Sequence, residues 1–164
     1  MDASDLQAQT RKAHAFKALH EREQVFVIPN PWDAGSAKML ASLGYQALAT
    51  TSAGYAFSQG KADGALSLDE TLANVRAIVA ATDLPVAVDL ENGFSDDPTE
   101  SAKSLLRAAE AGAVGGSIED ATGRPDAPIY CFEHAVARIE AAVAAVRTLP
   151  FPFILTARAE NYLH

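Results

Sequence analysis

The sequence predicts an α/β fold in which helices cover a parallel β-sheet. Short apolar segments typical of strands alternate with amphipathic segments typical of helices, five times along the chain. No two of these strand segments are joined by the two-residue turn that marks a β-hairpin. Because parallel strands need a long crossover between them, the alternation favours either an open doubly wound sheet or a closed barrel.

The composition is that of a single folded domain, residues 1–164. Hydrophobic residues make up 49% and charged residues 21% of the chain, which is enough apolar surface for a buried core. The formal net charge of −8 argues against a nucleic-acid partner, because phosphate binding needs clustered lysine and arginine. Since the sequence has neither an apolar leader nor a membrane span, we expect a cytoplasmic location and no membrane partner.

The predicted elements follow in order from the amino terminus. A helix extends to about residue 20, and the apolar residues 25–28 predict a strand that ends at a Pro-Asn-Pro turn. Residues 33–43, closed by Gly44, predict a second helix. The remaining predicted strands are residues 47–49, 84–88, 114–118 and 151–156, and the helices between them begin at the capping motifs of Ser67 and Asp97 and near residue 133.

Polar side chains follow the predicted strands at their carboxyl ends. They are Asn30, Thr50 to Ser52, Asp89 with Glu91, Glu119 with Asp120, and Arg158 with Glu160. In parallel α/β folds this edge of the sheet binds ligands, because loops and helix N-termini converge there. The five polar strand endings therefore predict a binding site at that edge.

Three carboxylates in this set are candidates for a metal site. Asp89 and Glu91 are two residues apart, so strand geometry directs both to the same side, where Glu119 from the neighbouring strand would join them. Close carboxylates repel one another unless a cation lies between them, and Mg²⁺ or Mn²⁺ prefers oxygen ligands. The alternative, of equal weight, is that these acids are helix caps or solvated loop residues, as most Asp and Glu are.

Arg158 and the turn of residues 50–54 are candidates for binding an anion. An arginine directly after an apolar strand either binds an anionic ligand or forms a salt bridge, here to Glu119 or Glu160. The turn offers hydroxyl and backbone N–H groups suited to a carboxylate or phosphonate. An ordinary loop of small residues has the same composition, so that alternative stays open.

Five segments resemble, in order, motifs of the isocitrate lyase/phosphoenolpyruvate mutase superfamily. Residues 50–54 (Thr-Thr-Ser-Ala-Gly) are similar to its Ser-Gly substrate-binding turn, and residues 60–64 (Gly-Lys-Ala-Asp-Gly) to its Gly-x-Pro-Asp segment. Residues 88–94 (Val-Asp-Leu-Glu-Asn-Gly-Phe) look like its acidic metal-binding strand end. Residues 116–120 and 156–160 resemble its Ile-Glu-Asp and Ala-Arg-Thr-Asp strands.

The resemblance implies a (β/α)8 barrel of the TIM type, truncated after about five β/α units. A complete barrel of this type needs eight strands and about 250 residues, whereas this sequence stops just past its fifth predicted strand. We therefore expect either that the sequence is a fragment of a longer protein or that a partner chain supplies the remainder.

The resemblance also implies roles for individual residues. Asp89 would bind Mg²⁺ directly, and Glu91, Glu119 and Asp63 would bind it directly or through water, with Mn²⁺ as the other possible cofactor. The implied catalytic residues are Arg158 and Glu119, and the implied substrate-binding residues are Thr50, Thr51, Ser52, Gly54 and Arg158.

The implied function is that of a Mg²⁺-dependent, homo-oligomeric enzyme that cleaves or rearranges a C–C or C–P bond. Its substrate would be a small 2-oxo acid, phosphonate or related carboxylate, polarised by the metal so that an enolate-like species forms. Arg158 would add positive charge where negative charge develops. The alternative function is a catalytically silent barrel fragment that acts only by association with itself or with a full-length partner.

The loop after the Glu-Asp strand departs from the family pattern. Isocitrate and methylisocitrate lyases carry a Lys-Lys/Arg-Cys-Gly-His loop whose cysteine is the acid, whereas residues 121–131 end in Cys131 without the basic pair or the Gly-His. We expect Cys131 to be a core or surface thiol and those two lyase activities to be disfavoured. Trp32 is expected to pack beneath the site and His164 to belong to a frayed terminus.

Overall fold

The computed structural model describes residues 3–163, which form six α-helices and one parallel sheet of four strands. The helices are α1 (Ala3–Glu21), α2 (Ala34–Ser42), α3 (Ser52–Ser58), α4 (Leu68–Ala81), α5 (Pro98–Glu110) and α6 (Phe132–Val146). The strands are β1 (Leu48–Ala49), β2 (Val86–Asp89), β3 (Gly115–Glu119) and β4 (Ile154–Arg158).

The strands lie in the sheet in chain order, β1-β2-β3-β4, and each neighbouring pair is parallel. A doubly wound sheet reverses its strand order at a switch point, whereas the order here continues unchanged through the described residues, as in the wall of a barrel. The register aligns Asp89 with Ser117 and Glu119 with Arg158. The carboxyl ends of β2, β3 and β4 therefore meet at one edge.

The prediction of a strand at residues 25–28 is wrong. The segment is extended but belongs to no strand, and Val25 and Val27 are 95% and 65% exposed. The two residues that follow it contact β1, since Ala49 N donates to Pro29 O and the Asn30 side-chain amide donates to Ala49 O. Prolines at positions 29 and 31 have no N–H to donate, so a regular ladder cannot continue.

Helix starts agree closely with the capping motifs in the sequence. Ser67 and Glu70 form the capping box of α4, and Asp33 forms one with Ser36 at the start of α2. Asp97 accepts hydrogen bonds from the backbone N–H groups of Thr99 and Glu100 at the start of α5. The predicted helices over residues 33–43 and 133–147 are confirmed to within one residue at each end.

The apolar core lies between the sheet and its helices. Its fully buried members include Val88 and Leu90 from the β2 region, Ile118 from β3, and Leu72 and Leu105 from the covering helices. Thr156 and Arg158 at the end of β4 are exposed, because β4 is the last strand of the described sheet. Polar residues of β2 and β3 alternate with this core, which leaves their side chains half-buried at the carboxyl edge.

Helix α1 packs across the amino ends of the strands. The Gln9 side-chain amide donates to Ala109 O at 2.7 Å and Ala113 O at 2.9 Å, which fixes the helix against the end of α5. The Phe16 ring lies so close to Gly115 that a Cβ there would be 2.8 Å from it. Helix α1 therefore lies on the side of the sheet opposite the polar strand endings.

Two sequence expectations concern the ends and surface of the fold. No helix between residues 3 and 163 combines the length and apolar character needed to cross a lipid bilayer. His164 lies outside the described residues. Cys131 is exposed and stands at the N-cap position of α6 without forming a side-chain cap, which agrees with the expectation of a core or surface thiol.

Candidate functional site

A cleft of about 1420 Å³ opens at the carboxyl edge of the sheet. Of the residues given metal-binding, catalytic or substrate-binding roles from the sequence, all but Gly54 line it: Thr50, Thr51, Ser52, Asp63, Asp89, Glu91, Glu119 and Arg158. Residues from the carboxyl ends of all four strands therefore converge on one cavity. Asn30, Asn92 and Thr122 also line it.

Asp89, the last residue of β2, is held by the chain segment that follows β1. Its Oδ2 accepts hydrogen bonds from Ser52 N at 3.0 Å and Ser52 Oγ at 2.9 Å. The Thr50 hydroxyl accepts from Asp89 N at 3.0 Å, so both the backbone and the carboxylate of Asp89 are fixed. The Asp89 side chain is only 15% exposed and directs its other oxygen, Oδ1, toward Arg158.

Glu91 approaches Asp89 for a reason that differs from the predicted one. Strand β2 ends at Asp89, and Glu91 adopts the left-handed conformation with φ of 50°, so the two-residue period of a strand does not apply. Glu119 N donates to Glu91 O at 2.9 Å and fixes this bend. Burial, followed by repulsion from Asp89, Asp63 and Glu119, raises the pKa of Glu91 to about 7.

Glu119 ends β3 and is in a similar electrostatic position. Burial raises its pKa to about 7, because the attraction of Arg158 is outweighed by burial together with the nearby charges of Asp89, Glu160 and Asp63. The carboxylates at this edge thus carry more negative charge than the protein itself compensates.

Arg158, at the end of β4, lies among three carboxylates. Its Nη1 is 3.4 Å from Asp89 Oδ1 and 3.4 Å from Glu119 Oε2, and its Nη2 is 2.5 Å from Glu160 Oε1. Both salt bridges considered from the sequence therefore form, and a third joins them. Burial opposes the charge of Arg158, but the carboxylates outweigh burial and raise its pKa. The guanidinium is 41% exposed, so it remains accessible to an anion in the cleft.

Asp63 reaches the site from the loop between α3 and α4. It is exposed, and its Oδ1 accepts a hydrogen bond from Gly64 N at 3.0 Å. Its charge contributes to the raised pKa of both Glu91 and Glu119. Asp63 therefore lies on the same side of the cleft as these carboxyl groups.

Residues 50–54 form the start of a helix rather than an irregular turn. Thr51 is the N-cap of α3, and its Oγ1 accepts a hydrogen bond from Gly54 N at 3.2 Å. Gly54 faces the indole of Trp32, since a Cβ at this position would lie 2.4 Å from the ring. Trp32 is 49% exposed, so it covers the start of α3 beside the cleft rather than lying fully beneath it. The N-cap threonine was the signal for α3 that sequence reasoning missed.

The donor set fits a divalent cation. In the part of the chain that the structure describes, no three His, Cys, Asp or Glu side chains lie close enough together to hold a metal ion as they stand. Mg²⁺, however, usually keeps several waters and needs only one or two carboxylates. Glu91 Oε1 is buried and has no hydrogen-bond partner within residues 3–163, and a cation or its water would satisfy that oxygen.

The loop that follows β3 closes one side of the cleft. Ala121 and Ile129 form an antiparallel bridge, and Thr122 N donates to Pro128 O at 2.8 Å, so the loop is folded back on itself. Arg124 in this loop pairs with Asp96 at 2.7 Å. Sequence reasoning recognised the loop as atypical, but it gave no sign of this contact with the segment after β2.

Comparison with known proteins is consistent with this architecture. The family model described as phosphoenolpyruvate phosphomutase matches residues 16–164. The 2-methylisocitrate lyase of Salmonella typhimurium is 35% identical over 154 residues, which cover 89% of this chain and 52% of that protein. The oxaloacetate decarboxylase of Paraburkholderia xenovorans is 29% identical over 150 residues, 83% of this chain and 48% of that protein.

Solved structures show the same fold. A crystal structure of a candidate lyase/mutase from Burkholderia cenocepacia has 61% identity and a TM-score of 0.94, over 96% of this chain and 56% of that chain. The structure of 2,3-dimethylmalate lyase has 28% identity and a TM-score of 0.82, over 95% of this chain and 55% of that chain.

The chain spans about half the length of the relatives that it matches. Its parallel α/β architecture is that of the TIM-barrel members of the superfamily, over the part that the chain contains. With a family match that covers residues 16–164, the chain belongs to the phosphoenolpyruvate phosphomutase family of the isocitrate lyase/PEP mutase superfamily.

Proposed function

We propose that this chain is the site-bearing part of a Mg²⁺-dependent enzyme that cleaves or rearranges a C–C or C–P bond. The substrate class is a small 2-oxo acid, phosphonate or related carboxylate. The observation that carries the proposal is the convergence of Asp89, Glu91 and Glu119 on one cleft beside the guanidinium of Arg158. Carboxylate oxygens there would suit a divalent cation, and the guanidinium beside them would suit an anionic substrate.

Asp89, with Glu91, Glu119 and Asp63, would hold Mg²⁺, and Mn²⁺ has the same ligand preference. When bound, the metal supplies a Lewis acid that polarises the substrate and stabilises developing negative charge. The pKa of about 7 for both Glu91 and Glu119 supports this assignment, because burial and then repulsion raise these values and a bound cation would favour the ionised carboxylates.

The chain's own side chains have separate tasks in this proposal. Ser52 orients Asp89 through two hydrogen bonds to Oδ2, while Oδ1 accepts from Glu91 N at 3.3 Å and from Arg158 Nη1 at 3.4 Å. Arg158 binds an anionic substrate group and opposes negative charge as it develops. Glu119, whose carboxyl group titrates near neutrality, is suited to hold or accept a proton in the cleft.

The named relatives support the substrate class but leave the reaction open. They include 2-methylisocitrate lyases, an oxaloacetate decarboxylase and a 2,3-dimethylmalate lyase. Oxaloacetate acetylhydrolase, 25% identical, has been solved with the product oxalate. Because residues 121–131 lack the Lys-Lys/Arg-Cys-Gly-His pattern, we do not assign methylisocitrate cleavage to this chain. A homo-oligomer in the cytoplasm remains part of the proposal.

An alternative function is association without catalysis. The position of β4 favours it, because β4 is the last strand of the described sheet and its residues Thr156 and Arg158 are exposed. Such a strand offers unpaired backbone groups to another chain or another copy. Size measurement together with Mg²⁺ binding separates the two functions, because a chain that only associates has no need of metal affinity.

Titration calorimetry with Mg²⁺ tests the proposed enzyme. We expect the wild-type chain to bind Mg²⁺ and Asp89→Asn to lose at least about 100-fold in affinity, since a direct ligand is removed. Asp83→Asn, which changes an exposed aspartate outside the cleft, serves as the matched control. Oxaloacetate, phosphonopyruvate and 2-methylisocitrate are then screened for turnover with Mg²⁺.

Two results would count against the enzyme. One is a folded wild-type chain without measurable Mg²⁺ affinity, and the other is turnover that persists in Asp89→Asn. Equal loss of affinity in Asp83→Asn would show a nonspecific charge effect instead of a site at Asp89.

A further inference from the structure

Arg138 on α6 is a buried cation. It takes part in none of the ion pairs within residues 3–163. Its residue exposure is 1%, which makes it the largest of the fully buried side chains in the described chain. Burial lowers its pKa, with Tyr130 and Asp96 acting in the opposite direction. A buried guanidinium is costly unless its donors are used, so the positions of its acceptors show what it does.

The acceptors of Arg138 belong mainly to one loop, residues 92–96, which directly follows the site carboxylates. Nη1 donates to Ser95 O at 2.5 Å and to Asp96 O at 3.0 Å, and Nη2 donates to Asn92 O. Ser101 Oγ at the start of α5 accepts a further bond from Nη2 at 3.3 Å. The guanidinium therefore binds both ends of the loop and the helix that follows it.

Tyr130 completes the enclosure of this guanidinium. Its ring centre lies 4.4 Å from the Arg138 Cζ, within range of a cation–π contact. The Tyr130 hydroxyl donates to Asp96 Oδ1 and accepts from the Asn92 side-chain amide at 3.2 Å. Arg138 and Tyr130 thus hold the same two loop residues, one through the backbone and the other through the side chains.

The loop needs this support because its backbone is strained. Glu91 and Phe94 have φ values of 50° and 60°, a region that side chains other than glycine rarely adopt. On the β3 side the bend is fixed by Glu119 N, which donates to Glu91 O. On the other side the next residue, Asn92, is fixed by Arg138. Glu91 therefore lies between hydrogen bonds from two different elements, one from Glu119 N to its own carbonyl and one from Arg138 Nη2 to the carbonyl of Asn92.

We propose that Arg138 is a positioning residue that fixes residues 92–96 and thereby holds the Glu91 carboxylate beside Asp89 and Glu119. The proposal rests on the proposed function, since it assigns the purpose of this loop to the metal site. Arg138 touches neither substrate nor metal. A nonpolar side chain at this position would fill the space without binding the carbonyl groups of Asn92, Ser95 and Asp96. The loop therefore requires the several N–H donors of a guanidinium.

Two measurements on the full chain test this role. Hydrogen–deuterium exchange reports the protection of residues 92–97, and calorimetry reports Mg²⁺ affinity. We expect Arg138→Met to speed exchange in this segment and to weaken Mg²⁺ binding at least about tenfold, as is typical when the support of a metal ligand is removed. Arg138→Lys keeps the positive charge but loses the paired N–H donors of the guanidinium. Its Mg²⁺ affinity should therefore lie between those of the wild-type chain and Arg138→Met.

Ile78→Ala is the control for lost stability alone. Ile78 is fully buried in a separate apolar cluster with Leu48 and Val86, so its truncation destabilises the fold without touching the loop. We expect this variant to keep wild-type Mg²⁺ affinity and loop protection. If Arg138→Met does not fold, the comparison is made with Arg138→Lys.

The outcomes separate this proposal from the proposed function. Wild-type Mg²⁺ affinity in a folded Arg138→Met chain overturns the positioning role, and so does unchanged protection of residues 92–97. A wild-type chain that binds no Mg²⁺ overturns the proposed function, and with it the purpose assigned to Arg138. If Arg138→Met nevertheless exchanges faster in this loop, the role of Arg138 is purely structural. Equal losses in Ile78→Ala would also overturn the positioning role.

Discussion

Glu91 and Glu119 are carboxyl groups whose burial is not balanced by positive charge. Both have a pKa of about 7 in the folded chain, against 4.5 for an unperturbed glutamate. The folded state therefore binds protons between these values that the unfolded state does not. By linkage, stability must rise as the pH falls through this window.

We expect the Mg²⁺-free chain to unfold with a higher free energy near pH 5.5 than near pH 8, because protonation relieves the buried repulsion. Saturating Mg²⁺ should reduce this difference by stabilising the ionised carboxylates. Urea unfolding at both pH values, with and without Mg²⁺, measures the effect. Glu70, whose pKa is lowered to about 2, loses its contribution only below 4.5 and so lies outside this window.

The double variant Glu91→Gln/Glu119→Gln is the control for this pH dependence. It removes both titrating groups while keeping side chains of similar size. A Mg²⁺-free wild-type chain that is equally stable, or less stable, at the lower pH would contradict the assignment.

For single residues, the sequence predicted which site side chains lie close together, but not the backbone conformation that brings Glu91 there. The carboxyl ends of parallel strands must share an edge, so Asp89, Glu119 and Arg158 could be placed together from the strand pattern alone. At the left-handed bend, Glu119 N donates to Glu91 O and Arg138 Nη2 donates to the neighbouring Asn92 O, and both are contacts between distant parts of the chain. Arg138 itself has a helical neighbourhood in sequence, and nothing there indicates its burial.

At the level of elements, the N-cap side chains determine where several helices of this fold begin. Asp97 begins α5, and its Oδ1 accepts from Thr99 N at 2.9 Å and Glu100 N at 3.0 Å. This cap ends the loop that Arg138 holds and turns the chain into the helix that covers β3. Its removal leaves two N–H groups to water alone.

We expect Asp97→Ala to lower the free energy of unfolding by about 1 kcal/mol, as for other N-cap deletions. Asp126→Ala, a change of an exposed aspartate in the loop after β3, is the matched control and should be close to neutral. Thermal or urea unfolding compares the two variants. A loss that is equal in both would argue for a general effect of charge and against the cap.

Elements with strong local signals were predicted well, and those that depend on partners were not. The caps at Ser67 and Asp97 fix helix starts through atoms close in sequence, so they are readable. The apolar residues 25–28 have strand-like composition, but the prolines that follow cannot supply ladder donors. Helix α3 is short and begins with hydroxyl and glycine residues, which favour a turn on composition.

For the molecule as a whole, a glycine in β3 allows α1 to pack closely against the sheet. A Cβ on Gly115 would lie 2.8 Å from Phe16 Cε1 and 2.9 Å from Ile154 O, which belongs to the backbone of β4. Glycine at this position thus allows α1, β3 and β4 to meet. The strand alternation predicted the parallel sheet, but this three-way contact joins Phe16 to Ile154, which lie far apart along the chain, and local patterns do not show such contacts.

We expect Gly115→Ala to destabilise the fold by about 2 kcal/mol or more, because the clash involves backbone that cannot move aside cheaply. Gly35→Ala is the matched control, since a Cβ in α2 meets only Asp33 Oδ1 at 3.4 Å and alanine favours a helix. Urea unfolding measures both variants. Wild-type stability in Gly115→Ala would show that the α1 contact is looser than described.

The contact of Trp32 with Gly54 has a practical consequence. The chain contains one tryptophan, so its intrinsic fluorescence comes from a single indole, which packs against Gly54 in the first turn of α3. Emission from that ring is sensitive to the solvent and dipoles around it. The protein thus carries its own optical probe of the start of α3, which can be followed without any attached dye.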